Sequence, residues 1–307
     1  MSFGRALILK TAAWGPIERM VRRSFLFRPV VRRFIAGDTL DDAMKAAELV
    51  CQSGMMASLD YLGENTANED EAIAATNTYI DMVERIAKSP DADKINISIK
   101  LTQCGLDQGE SFAEKNYRRL LEAAEPHKTF VRVDMEASDY TQRTIEIVER
   151  VIADFPNTGT VLQSYLKRSI EDTKRMVELQ ARVRVVKGAY LEPEEVAFQS
   201  KKTVDEKYLE MSTLLLEGGN YPAFATHDPH LIEAIKNYAS DHKIDKSRFE
   251  FQMLYGIRRD LQESLKKEGY NVRVYIPFGD KWYPYFSRRL AERPANSLFI
   301  LKALFKR

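Results

Sequence analysis

The stretch RVRVVKGAY, residues 182–190, shows the pattern from which the fold can be predicted, because a short valine-rich run ends close to a glycine. Runs of this composition and length are typical of β-strands. Seven further runs share the pattern, most of them rich in Val, Ile, Phe or Tyr and ending near Gly, Asp or Pro, and they cover residues 55–62, 95–102, 129–136, 159–165, 221–228, 249–255 and 272–279. The chain therefore carries eight predicted strands.

Amphipathic stretches separate these predicted strands. In YTQRTIEIVERVIADF, residues 140–155, and SIEDTKRMVELQ, residues 169–180, apolar residues recur every three or four positions, which indicates helices with one buried face. Connections of this length fit right-handed β-α-β crossovers between parallel strands. Eight such units predict an α/β protein built on a (β/α)8 TIM barrel. A doubly wound open sheet is the alternative, but no GxGxxG motif follows the first strand.

The first 37 residues differ in composition from the rest of the chain. They contain eight arginines and lysines but a single acid, Glu18, and apolar residues lie between the charges. We therefore divide the chain into a basic N-terminal helical arm, residues 1–40, and a barrel domain, residues 41–307. The arm is expected to pack on the barrel, and attachment to an anionic membrane surface is the alternative. A targeting peptide is disfavoured, because no cleavage site is recognisable.

The overall composition argues against several classes of protein. The net charge is +1 and the pI about 7.7, which provides no overall field for nucleic acid. The two cysteines, Cys51 and Cys104, cannot make a disulfide scaffold and form no CxxC motif, so a reducing compartment is expected. No apolar run approaches the ~20 residues of a membrane span. Of the four histidines only His227 and His230 are close in sequence, and we expect no metal site.

Polar residues stand at the carboxyl ends of the predicted strands, where (β/α)8 barrels place their catalytic groups. They are Lys100, Asp134, Glu136, Gln163, Lys187, Thr226, His227, Asp228 and Tyr275, with Arg184 three residues before Lys187. Any one of them could be structural, and Glu136 and Asp228 could be helix caps or first-turn acids. Lys100 and Arg184 are long cations inside β runs and are costly to bury unless an anion pairs with them. Together these residues predict a site at this end of the barrel.

The stretch YPYFSRRLAER, residues 283–293, carries two adjacent arginines, Arg288 and Arg289, behind two tyrosines and a phenylalanine. Adjacent residues on a helix point ~100° apart, so one surface salt bridge does not readily explain both. An anionic ligand is one explanation. An exposed pair between Arg288 and Glu292 is the other.

Eight blocks, in order along the chain, resemble proline dehydrogenase in its short monofunctional bacterial form. They are SIKLT, VRVDME, VLQSY, RVVKGAY, FATHD, FEFQMLYG, VYIPFG and YFSRRLAERPANSLF, which lie between about residues 35 and 300. The resemblance implies a distorted (β/α)8 barrel that holds non-covalent FAD at its mouth. It also implies oxidation of L-proline to Δ1-pyrroline-5-carboxylate, the first step of proline catabolism, by hydride transfer to flavin N5 and then electron transfer to a membrane quinone.

The resemblance also implies which residues bind proline. Arg288 and Arg289 would hold the substrate carboxylate, with Lys100 closing on the same group. Leu254, Tyr275 and Tyr285 match positions that pack around the ring of the substrate. Asp134 matches the active-site aspartate of the family, and we expect it to pair with Lys100 when no substrate is bound.

For the cofactor, Arg184 matches the arginine beside flavin N5, and Gln163 matches the glutamine at the ring system. The other implied FAD contacts are Met135 through its backbone, Lys187, Gly188, Ala189, Tyr190, Thr226, His227 and, at the ribose, Glu292. Two positions depart from the pattern. Leu191 stands where long bifunctional relatives commonly have Trp, and Asp228 stands where relatives often have Asn.

Two other functions remain open from the residues. A Schiff-base lyase or a pyridoxal-phosphate enzyme could use Lys100 or Lys187, and a membrane-attached binding protein could use the basic arm and the same ligand site. The resemblance implies no aldehyde-dehydrogenase half, so a separate pyrroline-5-carboxylate dehydrogenase would carry out any second oxidation. We expect a cytoplasmic protein, with peripheral attachment to the inner face of the cell membrane as an open alternative.

Overall fold

The computed structural model describes residues 28–292, with the side chains of residues 31–287. Eight parallel strands form a closed barrel in chain order, and the last strand pairs with the first from Met56↔Arg273 to Tyr61↔Phe278. The strands are β1 Met56–Tyr61, β2 Ile95–Ile99, β3 Val131–Val133, β4 Thr158–Gln163, β5 Arg182–Val186, β6 Ala223–Ala225, β7 Glu250–Leu254 and β8 Asn271–Phe278. The predicted (β/α)8 barrel is confirmed, and the open-sheet alternative is wrong.

Helices precede the barrel and connect its strands. The α-helices are α1 Arg28–Phe34, α2 Leu40–Gln52, α3 Glu69–Ala87, α4 Glu110–Ala124, α5 Ser138–Ile152, α6 Ser169–Glu178, α7 Lys201–Gly218, α8 Pro229–Asp241, α9 Arg259–Lys267 and α10 Tyr283–Glu292. Short 3-10 helices cover Ala92–Lys94, Glu125–His127 and Lys246–Arg248. Within residues 28–292, none of the helices combines the length and the apolar character needed to cross a bilayer.

Residues alternate along each strand between the helix layer and the barrel interior. In β2, Ile97 and Ile99 are buried in the main hydrophobic cluster with the helices, whereas Ser98 between them faces the interior. Arg184 of β5 donates from Nη2 to the Ser98 hydroxyl at 3.0 Å, a bond that spans the barrel. The interior is therefore lined by polar and charged groups, while the apolar core lies between strands and helices.

The described end of the predicted arm packs beside the carboxyl end of the barrel. Val31 and Phe34 are buried in a cluster with Tyr283 and Phe286 of α10. After the helix, the Ala36 N–H donates to the carbonyl of Pro277 in β8 at 2.9 Å. The rest of the predicted arm, residues 1–27, lies outside the described residues.

Several predicted strands extend too far, because polar residues follow the last paired residue instead of belonging to the ladder. Lys100 comes directly after β2, and Asp134 directly after β3.

Asp228 caps α8, accepting from the His230 N–H at 3.1 Å. Glu136 is not a cap or first-turn acid, and that alternative is wrong. It is buried, and it accepts from the Thr102 hydroxyl at 2.6 Å.

The ion pair between Glu250 and Arg273 is buried at the amino-terminal end of the barrel, with Arg273 Nε 2.9 Å from Glu250 Oε1. Glu250→Gln is expected to lower the free energy of unfolding at pH 7 by about 3–5 kcal/mol, because it leaves a buried guanidinium without its carboxylate. Chemical denaturation measures the change. Glu171→Gln, which breaks an exposed pair with Lys174, is the control and should cost less than about 1 kcal/mol.

The same pair predicts a pH dependence. Burial raises the pKa of Glu250, but the charge and hydrogen bond of Arg273 outweigh it and lower the pKa to about 2. A depressed carboxyl pKa stabilises the fold above the unfolded value of ~4.3, and this stabilisation is lost as the pH falls toward the folded value. The difference in stability between wild type and Glu250→Gln should shrink between these pH values. A difference that stays constant down to pH ~2 would contradict this account.

Candidate active site

A cavity of about 690 Å³ opens at the carboxyl end of the barrel. Every residue predicted to bind the substrate or the cofactor lines it where its side chain is described, namely Lys100, Asp134, Met135, Gln163, Arg184, Lys187, Gly188, Ala189, Tyr190, Thr226, His227, Leu254, Tyr275 and Tyr285, whereas the polar residue Glu136 does not. The strands are parallel, so residues distant in sequence meet where the strands end. The volume is in the ~300–1,000 Å³ range of small-molecule sites.

Three predicted site residues, Arg288, Arg289 and Glu292, have side chains outside the described part of the structure. Their backbone belongs to α10, whose first turn borders the cavity through Pro284 and Tyr285. The helix that carries the two arginines therefore begins at the cavity. Both explanations of the arginine pair, an anionic ligand and a pair with Glu292, stay predictions.

Asp134 joins two other predicted site residues at the base of the cavity. Its Oδ1 is 2.7 Å from Arg184 Nη1, and its Oδ2 accepts from the Tyr275 hydroxyl at 2.6 Å. Burial, together with the carboxylates of Asp134 and Asp60, raises the pKa of Tyr275 well above its usual value. Tyr275 is therefore a neutral phenol whose hydroxyl donates a hydrogen bond to Asp134.

Arg184 is held on every side of its guanidinium group. Besides Asp134, it donates from Nε to Gln252 Oε1 at 2.5 Å and from Nη2 to Ser98 Oγ at 3.0 Å. Its Cζ atom lies 5.1 Å from the centre of the Tyr275 ring. A cation fixed by four neighbours keeps one position whatever occupies the cavity.

The predicted pair between Lys100 and Asp134 is wrong. Lys100 Nζ is 2.8 Å from Oδ1 of Asp60, which lies near the end of β1 and is almost fully buried. Asp60 pairs in register with Ser98, two residues before Lys100, so the two side chains leave neighbouring strands on the same face. Asp134 is not free for Lys100, because Arg184 and Tyr275 occupy its two oxygens.

The Asp60 carboxylate keeps Lys100 charged. Burial lowers the pKa of Lys100, but the negative charges of Asp60 and Asp134 outweigh it and raise the pKa above its usual value. Burial raises the pKa of Asp60, and the Lys100 ammonium opposes this effect. Sequence reasoning missed Asp60, although it is the only charged residue in the first predicted strand. That residue alone could have signalled an interior charge.

The backbone after β5 is shaped around Gly188. Its φ is +113°, and a Cβ atom there would come within 2.4 Å of the Tyr165 ring, so an L side chain would be both strained and blocked. The preceding residue, Lys187, forms ion pairs with Asp205 at 2.6 Å and with Asp228 at 3.0 Å. Gly188 lines the cavity, and packing against Tyr165 restricts this position to glycine.

The side chains of Gln163 and His227 also line the cavity. One has an acceptor without a partner, and the other is held by a backbone hydrogen bond. Gln163 donates from Nε2 to the Glu136 carbonyl at 3.3 Å, while its buried Oε1 has no partner among the described residues. His227 Nε2 accepts from the Leu254 N–H at 3.0 Å, which requires a ring without a proton on that nitrogen. The site therefore offers an acceptor at Gln163 that a ligand donor could satisfy.

The fold and the cavity define the class of this protein: a (β/α)8-barrel enzyme with a largely buried, charged site at the carboxyl ends of its strands. The sequence matches the family model described as proline dehydrogenase over residues 43–302. The chain belongs to the proline dehydrogenase family, and it is an oxidoreductase.

Individual relatives agree with this assignment. "Proline dehydrogenase 1" of Bacillus subtilis subsp. natto is 43% identical over 277 residues, which are 90% of this chain and 91% of the relative. "Proline dehydrogenase" of Deinococcus radiodurans is 38% identical, with 98% of each chain covered. The predicted resemblance to a monofunctional proline dehydrogenase is confirmed. The lyase, pyridoxal-phosphate and binding-protein alternatives are not supported.

A solved structure also resembles this chain. Proline utilization A from Bdellovibrio bacteriovorus, inactivated by N-propargylglycine, matches with a TM-score of 0.81 and 28% identity. The match covers 87% of this chain and 33% of that protein. The match therefore spans about one third of the length of that Bdellovibrio protein.

Asp60 and Lys100 can be tested as a pair by a double-mutant cycle. Asp60→Asn is expected to destabilise the fold by about 3–5 kcal/mol, because it leaves the Lys100 ammonium buried without a full counter-charge. Adding Lys100→Met should recover much of the loss, since neither charge then remains. The free energy of unfolding is measured by denaturation, with Asp41→Asn in an exposed pair as the control. Additive effects of the two substitutions would contradict a direct pair.

Proposed function

We propose that this chain oxidises L-proline to Δ1-pyrroline-5-carboxylate with non-covalently bound FAD and passes the electrons to a membrane quinone. The observation that carries the proposal is the rigid arrangement of Arg184, Asp134 and Tyr275 beside the buried Lys100 ammonium, in a cavity of cofactor size. Such a cavity offers fixed positive charge both to a carboxylate and to an electron-rich ring.

The residues of the cavity suit a flavin nucleotide. The unpartnered Gln163 Oε1 is an acceptor that an imide N–H would satisfy. At Gly188 the absence of a side chain allows close approach to the backbone. Glu292, Thr226 and His227 are the further contacts that the family pattern assigns to the nucleotide. The additional charge at Asp228 is balanced by Lys187 and Lys201, at 3.0 and 3.5 Å.

The substrate is bound by its two ends. Lys100, with Arg288 and Arg289 of α10, would hold the carboxylate of proline through charge-assisted hydrogen bonds. Leu254, Tyr275 and Tyr285 line the cavity and would surround the ring, which excludes water and orients C5. FAD bound beside this pocket would supply the hydride acceptor, its N5 atom.

Arg184 and Asp134 have different tasks in this proposal. Arg184 is a fixed cation that would favour electron density arriving on the reduced ring system. Asp134 orients both Arg184 and the Tyr275 phenol, because each of its two oxygens accepts from one of them. The nitrogen lone pair of proline drives hydride loss, so the amine reacts in its neutral form, and its proton leaves to solvent.

The acceptor proposal is supported by the basic arm. Residues 1–37 carry eight basic residues and one acid, a composition that an anionic membrane surface attracts. A quinone dissolved in that membrane would then be close to the reduced cofactor. Turnover that is faster with quinone in anionic vesicles than in neutral ones supports this acceptor, and equal rates with both would contradict the role of the arm.

Anaerobic addition of proline tests the reaction directly. The purified protein should be yellow, and its visible absorbance should bleach when proline is added, because the two electrons stay on the flavin. Arg288→Met and Arg289→Met should each raise the KM for proline strongly and keep bound FAD, whereas Arg175→Met on the exposed face of α6 should change neither. A protein that holds flavin but does not bleach would refute the activity, and loss of FAD in the arginine variants would reassign both residues to the cofactor.

The cofactor cradle can be tested with two glycines of similar conformation. Gly188→Ala should lose most of its flavin, because the added Cβ would collide with the Tyr165 ring at 2.4 Å. Gly269→Ala is the matched control, since its φ is also positive, at +85°, but a Cβ there meets nothing within 4 Å. The ratio of visible to ultraviolet absorbance measures flavin content. Equal flavin content in the two variants would show that Gly188 does not shape the cradle.

A further inference from the structure

A second cavity, of about 350 Å³, lies at the opposite, amino-terminal end of the barrel. It is lined by residues at or just before the starts of the strands, among them Asn96, Phe130, Arg182, Tyr221 and Arg273. None of the predicted substrate and cofactor residues whose side chains are described lines this cavity. The reaction proposed above has no use for it.

Arg182 faces this cavity without a polar partner. Its guanidinium carbon lies 4.0 Å from the centre of the Phe130 ring and 4.7 Å from that of Tyr221, so the group is sandwiched between two aromatic rings. It forms no hydrogen bond or ion pair with any described residue, and its buried Nε is unsatisfied. Stacked rings hold a guanidinium in place but leave its in-plane donors available.

The surroundings of Arg182 carry an excess of positive charge. Arg132 is fully buried behind Phe130 and donates from Nη1 to the carbonyls of Thr160 and Arg182, while its Nε and Nη2 have no partner among the described residues. Burial, with the charges of Arg184 and Arg182, lowers the pKa of Arg132 well below its usual value. Unpaired buried charges of this kind are costly unless an anion compensates them.

The acids near this end do not balance that charge. Glu250 is the one buried carboxylate among the groups that act on Arg132 and Arg182, and Arg273 binds it at 2.9 Å. At the edge of the cavity, Lys128 and Asp93 are of opposite charge, and neither forms an ion pair with a described residue. The side chains outside the described part include only two acids, Glu18 and Glu292. The guanidinium groups of Arg132, Arg182 and Arg273 thus have one buried carboxylate near them, that of Glu250.

We propose that this cavity binds a small oxyanion of the phosphate type, through Arg182 with Lys128 at its edge. The planar guanidinium donors match two oxygens of such an anion. Tyr221, which also lines the cavity, is already hydrogen-bonded to Asn271 Nδ2 at 3.1 Å and to Glu250, so the donors for a ligand oxygen come from Arg182 and Lys128. Free inorganic phosphate and the phosphate group of a small metabolite share this chemistry.

Thermal unfolding of the purified protein with its own cofactor tests the proposal. Sodium phosphate should raise the melting temperature saturably over sodium chloride at equal ionic strength, and calorimetry should give one site. Arg182→Gln should weaken binding about tenfold or more, the loss of charge-assisted hydrogen bonds, while Arg175→Gln on the protein surface should not. Both variants should keep proline turnover, because the cavity lies at the other end of the barrel.

Lys128→Glu provides an independent variant that disturbs no buried side chain, and it should also weaken phosphate binding. Tighter binding of glycerol phosphate than of inorganic phosphate would assign the site to organic phosphates, and the reverse would assign it to the free ion. Absence of a saturable shift at constant ionic strength would overturn the proposal. So would equal phosphate affinity in wild type, Arg182→Gln and Lys128→Glu.

Discussion

The ion pair between Arg184 and Asp134 lies at the centre of a hydrogen-bond network that connects β2, β5, β7 and β8 at the candidate active site. The Arg184 guanidinium on β5 donates directly to Ser98 on β2 and Gln252 on β7, and its pairing with Asp134 connects it to Tyr275 on β8. A charge buried inside a barrel needs an opposite charge and hydrogen-bond partners from the protein, because these replace its contacts with water. The hydrogen bonds that compensate the buried charge of Arg184 also fix its position. A cation held in a fixed position can stabilise negative charge that develops on a neighbouring ring.

A buried ion pair lies inside the barrel at each of its two ends. At the carboxyl end Lys100 is paired with Asp60, and at the amino-terminal end Arg273 is paired with Glu250. We propose that other cations at each end bind a ligand: the arginines carried by α10 in the proposed substrate site, and Arg182 in the second cavity. In this proposal, buried ion pairs position some cations, and the remaining positive charge binds anions.

The fold could be predicted from the sequence, since parallel strands buried on both faces are rich in β-branched residues and the helices between them are amphipathic. The positions of strand ends were harder, because residues such as Lys100 and Asp134 continue a β-like pattern after the ladder has ended. Which charges pair depends on the register between strands, which no local pattern records. For this reason Lys100 was assigned to Asp134 and Asp60 was missed. The other cavity residues follow from the family resemblance, because its motifs stand at the ends of the strands.

The central claim is that the Lys100 ammonium, held by Asp60, receives the carboxylate of a small cyclic amino acid. A crystal structure with a cyclic carboxylate that lacks the ring amine tests it most directly, because such a ligand can bind but cannot be oxidised. The account predicts a carboxylate oxygen within hydrogen-bond distance of Lys100 Nζ and the ring against Tyr275 and Leu254. A carboxylate bound elsewhere in the cavity, with Lys100 still directed only at Asp60, would contradict it.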